Sequence, residues 1–141
     1  MGRNMANSIT DVKAGIKALL ETVETIEAVY AYEPLQLPKL PCATIQFLGF
    51  DPARTEVNSM TVAYQYLIRL YFDLIDAEAA ATQMENLVWS VLGVLVDNPS
   101  LSSTCIYSDV VRGEAIWAEF ANRQRPLEGF EIEIHAIKEE D

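Results

Sequence analysis

The side chains able to do covalent or acid–base chemistry are few. One histidine and 2 cysteines accompany 21 aspartates and glutamates and 10 lysines and arginines. His135 follows Glu131 and Glu133 in F-E-I-E-I-H, and at a two-residue strand period all three share a face. A hydrolytic triad would have to be built from His135 and one of those carboxylates, because the chain holds no other imidazole. The alternating Phe130, Ile132, Ile134 and Ala136 support a simpler reading, a half-solvated strand with its polar groups turned to water. Cys42 and Cys105 sit inside apolar stretches, where reduced core thiols are expected rather than a disulfide. No Gly-rich phosphate loop, nucleophile elbow, or Cys and His pair at metal-ligand spacing occurs. Paired carboxylates could exchange protons in principle, yet none stands beside an obvious cleft-forming loop. The chain is therefore expected to be no enzyme, with no cofactor and no metal site.

The remaining conspicuous polar residues suit contact with a partner. D-P-A-R-T-E-V-N-S, residues 51–59, is polar and long for a hairpin connection, so a loop is expected there, either a binding element or a loose tip. Asp51, Arg54, Glu56 and Asn58 are its contact candidates. N-R-Q-R-P, residues 122–126, places Arg123 and Arg125 on a turn of an acidic protein, serving solubility or a contact with an acidic surface or a passing phosphate. Pro34, Pro38 and Pro41 interrupt pairing before Cys42 and make an extended connector. Its leucines, Leu35 and Leu37 among them, must be covered by this chain or by a neighbour.

These residues need elements to hold them. M-T-V-A-Y-Q-Y-L-I-R-L-Y-F-D-L-I, Met60 to Ile75, alternates strictly: Val62, Tyr64, Tyr66, Ile68, Leu70, Phe72 and Leu74 form one apolar face. With no Gly or Pro and many β-branched or aromatic residues, it reads as the central strand of an antiparallel sheet. Ile9, Val12, Ile16, Leu19, Leu20, Val23 and Ile26 recur at steps of three and four, predicting a helix that ends near Glu27, with Ser8 and Asp11 as a capping box. Gly15 within it costs about 1 kcal/mol against Ala, a hint of close packing or mere tolerance.

A second helix, capped by Asp76 and stopped at Asn98-Pro99, carries Ala80, Met84, Leu87, Val88, Val91, Leu92 and Leu95, and should lie across the apolar face of the long strand. Trp89 falls just off that stripe, as a core border or an interface anchor. Further strands are predicted over Ala28–Tyr32, Ala43–Phe50, Thr104–Arg112, Glu114–Ala121 and Gly129–Ile137. The expected fold is α+β, a mostly antiparallel sheet with two helices packed on one face.

Composition sets bounds on this reading. With 141 residues and 50% hydrophobic content, one domain spanning 1–141 is expected. The net charge of -11 argues against a protein that coats DNA, since phosphate binding needs clustered cations, but allows one past which DNA slides. The N-terminal M-G-R-N-M-A-N-S lacks the apolar core of a secretion signal, Ala6 stands where a myristoylation motif wants Ser or Thr, and no apolar run reaches membrane-span length. A soluble, unprocessed protein without membrane contact is expected.

The order helix, strand, Pro-containing loop, strand, long loop, central strand, helix and closing strands resembles the tail terminator (tail completion) proteins of long-tailed bacteriophages. The resemblance runs from Ile9 to Ile137. It is carried by I-T-D-V-K-A-G-I-K-A-L-L, Y-Q-Y-L-I-R-L-Y-F, L-V-W-S-V-L-G-V-L-V-D-N-P and L-E-G-F-E-I-E-I, none of them an invariant motif. It implies a virion protein at the head-proximal end of the tail, a homo-oligomer closing as a hexameric ring on the last ring of the tail tube. Such a ring stops tube polymerisation, presents a surface to the head–tail connector protein, and lets DNA pass its lumen without specific binding. Its partners would be itself, the tail tube protein and the connector. The residues leave open another head–tail joining or tail-tube subunit, or a small-molecule binding domain with a pocket under the second helix.

Overall fold

The computed structural model describes residues 7–36, 39–72, 77–118 and 127–140. In chain order its elements are α1 (Ser8–Leu20), β1 (Ala28–Tyr30), β2 (Cys42–Glu56), β3 (Ser59–Tyr71), α2 (Ala77–Asp97), β4 (Tyr107–Ala118) and β5 (Leu127–Glu140). β3 is the alternating stretch, and it bonds β2 along one edge and β5 along the other in a sheet of order β1-β2-β3-β5-β4. β1 runs parallel to β2, and the other pairs are antiparallel. Two antiparallel steps make β3 and β4 parallel to each other, so the β3–α2–β4 crossover carries β5 in its gap. The α+β class read from the sequence is the class found.

Val62, Tyr64, Tyr66, Ile68 and Leu70 of β3 and Phe72 just after it are all buried, while Leu74 lies outside the described residues. They share one cluster with Val12, Ile16 and Leu20 of α1, Met84, Leu87, Val91 and Leu95 of α2, and Ile132 and Ile134 of β5. Steps of three and four along each helix put those residues on one stripe, so both helices cover the same sheet face. Burying each such aliphatic side chain is worth roughly 1.5–3 kcal/mol. Val88 packs at the border of the cluster, and Leu92 is half-buried. The Tyr66 hydroxyl, carried deep by β3, is satisfied: it donates to the Ile9 carbonyl in the first turn of α1 at 2.6 Å. Burial pushes the Tyr66 pKa up, so the hydroxyl stays a donor.

The opposite face of β3 is covered as well, which strict alternation did not indicate. Tyr71 and Cys42 form a second, smaller cluster with Ala28, Tyr30, Leu40 and Ile116. Leu40 is thus a connector leucine that this chain covers. Glu33 ties the connector down, accepting from the Tyr71 hydroxyl and from Thr44 Oγ1 at 2.6 Å. Thr44 is fully buried, and Arg69 approaches the same carboxylate at 3.6 Å. Cys42 and Cys105 form no disulfide, and burial pushes the Cys105 thiol up to about 11.

Several boundaries differ from the sequence reading. α1 stops at Leu20 rather than near Glu27, because Thr22, Val23 and Ile26 bond back three residues in tight turns and the Thr22 hydroxyl donates to the Leu19 carbonyl. Val23 stays buried, so the apolar period outlives the helix. The cap is Asn7, whose side chain accepts from the Thr10 N–H. Ser8 is helical, and its hydroxyl donates instead to Glu140 at 2.6 Å.

Residues 51–59 are not a loop. β2 and β3 stay paired through Asp51↔Ala63, Pro52↔Val62 and Ala53↔Thr61, and the turn shrinks to Val57 and Asn58. Arg54 donates to the Val57 carbonyl at 2.6 Å. Their polarity reflects a water-facing sheet margin, and Pro52, which has no N–H, lies beyond the part of β2 that β1 pairs, where proline is tolerated.

Between 104 and 118 the chain holds one strand, β4, running through the point where two expected strands would have met. Gly113 is no break, since a Cβ there would meet Phe130 Cε1 at 2.8 Å and glycine makes room for that ring. The irregularity falls between Val110 and Arg112 instead. β1 is shorter than expected, β2 and β5 longer, and the Asp76 cap lies outside the described residues.

Gly15 is where α1 meets the turn after α2. A Cβ on Gly15 would stand 2.2 Å from the Leu101 carbonyl oxygen and 2.8 Å from Thr104 Cγ2. Leu101, Ser102 and Ser103 all have positive φ, of 49°, 61° and 64°, a run that costs non-glycine residues roughly 1 kcal/mol or more each. Full burial of Leu101 and the bond from Ser102 Oγ to the Gly15 carbonyl hold it in place.

Two substitutions test this packing. Ile68→Ala should cost about 2–5 kcal/mol by denaturant midpoint, and Arg69→Ala about 1 kcal/mol or less. Equal shifts would contradict the face assignment. Gly15→Ala should lower the melting temperature despite its roughly 1 kcal/mol helix-propensity gain, because the turn at Leu101 must move. A rise in melting temperature would show that the turn yields freely.

Candidate interaction surfaces

The open face of the sheet carries charge in register. Thr44, Arg69, Glu131 and Glu114 form one row across β2, β3, β5 and β4, and Gln46, Leu67, Glu133 and Arg112 form the next. Gln65, His135 and Asp109 make a third. Arg112 contacts Glu114 at 2.7 Å, Glu133 at 3.1 Å and Glu131 at 3.2 Å. Arg69 meets Glu131 at 3.5 Å and donates to Gln46 at 3.0 Å. His135 Nε2 lies 2.6 Å from Glu133 Oε2. That hydrogen bond, with Arg112 behind it, holds the Glu133 carboxyl below its ordinary value of 4.5 against a smaller opposing effect of burial. His135 thus stands in a ladder of polar side chains on a sheet face, as the alternation of β5 predicted.

Among the described residues, those nominated for partner contact fall in two separate places. Asp51, Arg54, Glu56 and Asn58 lie exposed along the β2–β3 hairpin, where Asp51 accepts from Gln65 Nε2 at 2.5 Å. Leu35 projects from the β1–β2 connector, 86% exposed. Leu37, Arg123 and Arg125 lie outside the described residues.

The exposed apolar side chains were largely missed by sequence reasoning. Leu48 and Phe50 stand on β2, Val57 and Met60 at the hairpin end, Tyr107, Val111 and Trp117 on β4, and Trp89 and Val96 on α2. Trp89 was legible because it broke the helical stripe. Leu48 and Val111 were not, since each is the extra residue at an irregularity that only strand pairing reveals.

On the helix side, Asp11, Ala14, Gly15, Ala18, Ser102, Ser103, Thr104 and Lys138 line an open cleft of about 470 Å3. It lies against α1, not under α2 where a small-molecule pocket was considered. Beside it, Lys138 Nζ donates to Ser8 Oγ at 2.8 Å, and the Tyr64 hydroxyl donates to Glu140 at 3.1 Å. This polar clamp ties the start of α1 to the end of β5.

Among the described residues no group of three or more His, Cys, Asp or Glu is placed to hold a metal, and no helix is long and apolar enough to cross a membrane. A scan against protein-family models and a search of curated proteins each returned no match.

The lowered Glu133 pKa fixes a pH dependence. A carboxylate whose folded pKa lies below its unfolded one contributes stability above the unfolded value, and that contribution fades as pH falls through the folded value. Glu133→Gln should therefore lose stability at pH 7 and show a shallower decline between pH 6 and pH 3, read from urea midpoints. Parallel curves for the two proteins would contradict the contact.

Proposed function

We propose that the protein is a structural subunit of a phage tail, closing as a ring at the head-proximal end of the tail tube and joining it to the head connector. The reading rests on the chain-long resemblance to tail terminators, and one observation of the fold carries it. Large apolar side chains stand in water on opposite margins of one sheet: Leu48 and Phe50 on the β2 side, Tyr107, Val111 and Trp117 on the β4 side. Two different patches on opposite sides suit a heterologous contact, the type that closes a ring or extends a tube. A net charge of -11 per subunit suits a lumen past which phosphate slides without binding. The hairpin around Asp51, Arg54, Glu56 and Asn58 offers the tube a polar, exposed end.

Native mass measurements across protein and salt concentration, with and without tail tubes, test it. A discrete ring-sized species, alone or on tubes, is expected. Particles no larger than a dimer in every condition would move the reading to a small binding domain using the cleft at α1. Replacing residues 52–58 with a short Gly-Ser turn should leave the fold intact and abolish capping of tubes. Normal capping by that variant would exclude the hairpin as the tube contact.

A further inference from the structure

The two edges of the sheet are built differently. On one side β1 covers Cys42 to Thr44 of β2, and the rest of that margin carries the irregularity at Leu48 and then Pro52, which has no N–H to donate. Such features blunt an edge against strand addition. β4 forms the other edge, with twelve residues, no proline and one irregularity at Val111. Among the described residues no strand pairs with its outer side, and Val111 and Trp117 are exposed along it.

The charge pattern of β4 says which strand fits. Glu114 lies directly opposite Glu131, a like-charge pair that destabilises a sheet unless cations offset it. The Arg112 guanidinium is shared among Glu114, Glu131 and Glu133. We propose that β4 pairs antiparallel with β4 of a second copy of this chain about a two-fold axis at Gly113. Arg112 of each copy then faces Glu114 of the other.

In that register two glycines meet at the axis, where no side chain keeps the backbones apart. The extra residue at Val111 keeps faces in phase farther out: Ala115 meets Val110, Ile116 meets Asp109 and Trp117 meets Ser108 of the second copy. Each Glu114 gains a second guanidinium, and Trp117, 68% exposed in the single subunit, gains a neighbour. The antiparallel order then runs unbroken from β2 of one copy to β2 of the other. Because a two-fold contact closes on itself, it cannot build a ring. It describes the free protein and stands whether or not the ring reading holds.

Sedimentation equilibrium over a concentration series tests the pairing. The wild-type protein should form a species of twice the 15.8 kDa subunit mass. Glu114→Arg and Arg112→Glu, each alone, place like charges across the axis and should weaken the dimer about tenfold or more. An equimolar mixture of the two restores both opposite-charge contacts and should dimerise again. Val111→Lys, at an exposed position, should also favour the monomer, and it answers the question should Arg112→Glu fail to fold. A wild-type monomer at all concentrations, or a dimer indifferent to Glu114→Arg and Val111→Lys, would overturn the pairing. Ring formation on tubes without any such dimer would overturn this contact alone, and a charge-sensitive dimer that never caps tubes would overturn the ring alone.

Discussion

β3 is enclosed on four sides, and the rest of the structure follows from that. Its edges are taken by β2 and β5, its apolar face by α1 and α2, and part of its other face by the connector after β1. A strand so placed must satisfy every backbone group through its neighbours and keep few polar side chains. On the helix face the Tyr66 hydroxyl is received by the Ile9 carbonyl and the Tyr64 hydroxyl by Glu140. On the open face Glu33, Glu131 and Gln46 gather around Arg69. Burial is thus the main stabilising effect, with polar contacts setting register and the placement of α1 and of the connector.

Farther from β3 the constraint loosens, and the apolar surface left in water grows. β4 has one strand neighbour, α2 turns Trp89 to solvent, and the β2–β3 hairpin ends in Val57. An isolated exposed apolar residue needs no explanation, but large ones repeated along the margins of one small sheet make those margins suited to contact. The open face between them is balanced differently. Its arginines are outnumbered by the glutamates they touch, and Arg112 alone contacts three.

The parts of the fold legible in the sequence were those where one physical demand acted alone. The apolar face of β3 from Val62 to Phe72 and the stripes of both helices were read correctly, although α1 stops before its stripe does and β3 is partly covered on its other face as well. Errors arose where two demands competed. Residues 51–59 are polar because their margin meets water, yet their backbone stays paired, so polarity was mistaken for a loop. Gly113 was taken for a break because glycine often is one, whereas here it yields space to Phe130, a residue distant in sequence. Gly15 showed the reverse: the hint of close packing was sound, but the carbonyl of Leu101 that fills the space could not be named. The nominated contact residues Asp51, Arg54, Glu56, Asn58 and Leu35 proved exposed, but only the hairpin four are neighbours in the fold. The apolar margins went unread because exposure at Leu48 and Val111 depends on irregular pairing.

The functional reading we propose joins the resemblance from Ile9 to Ile137 to a subunit with unlike apolar margins and strong net negative charge. Its most direct test is electron microscopy of tail tubes grown from purified tube protein with and without this protein. Tubes of arrested length bearing one extra ring at a single end are the result expected. Tubes that grow to the same lengths with bare ends in both samples would contradict it.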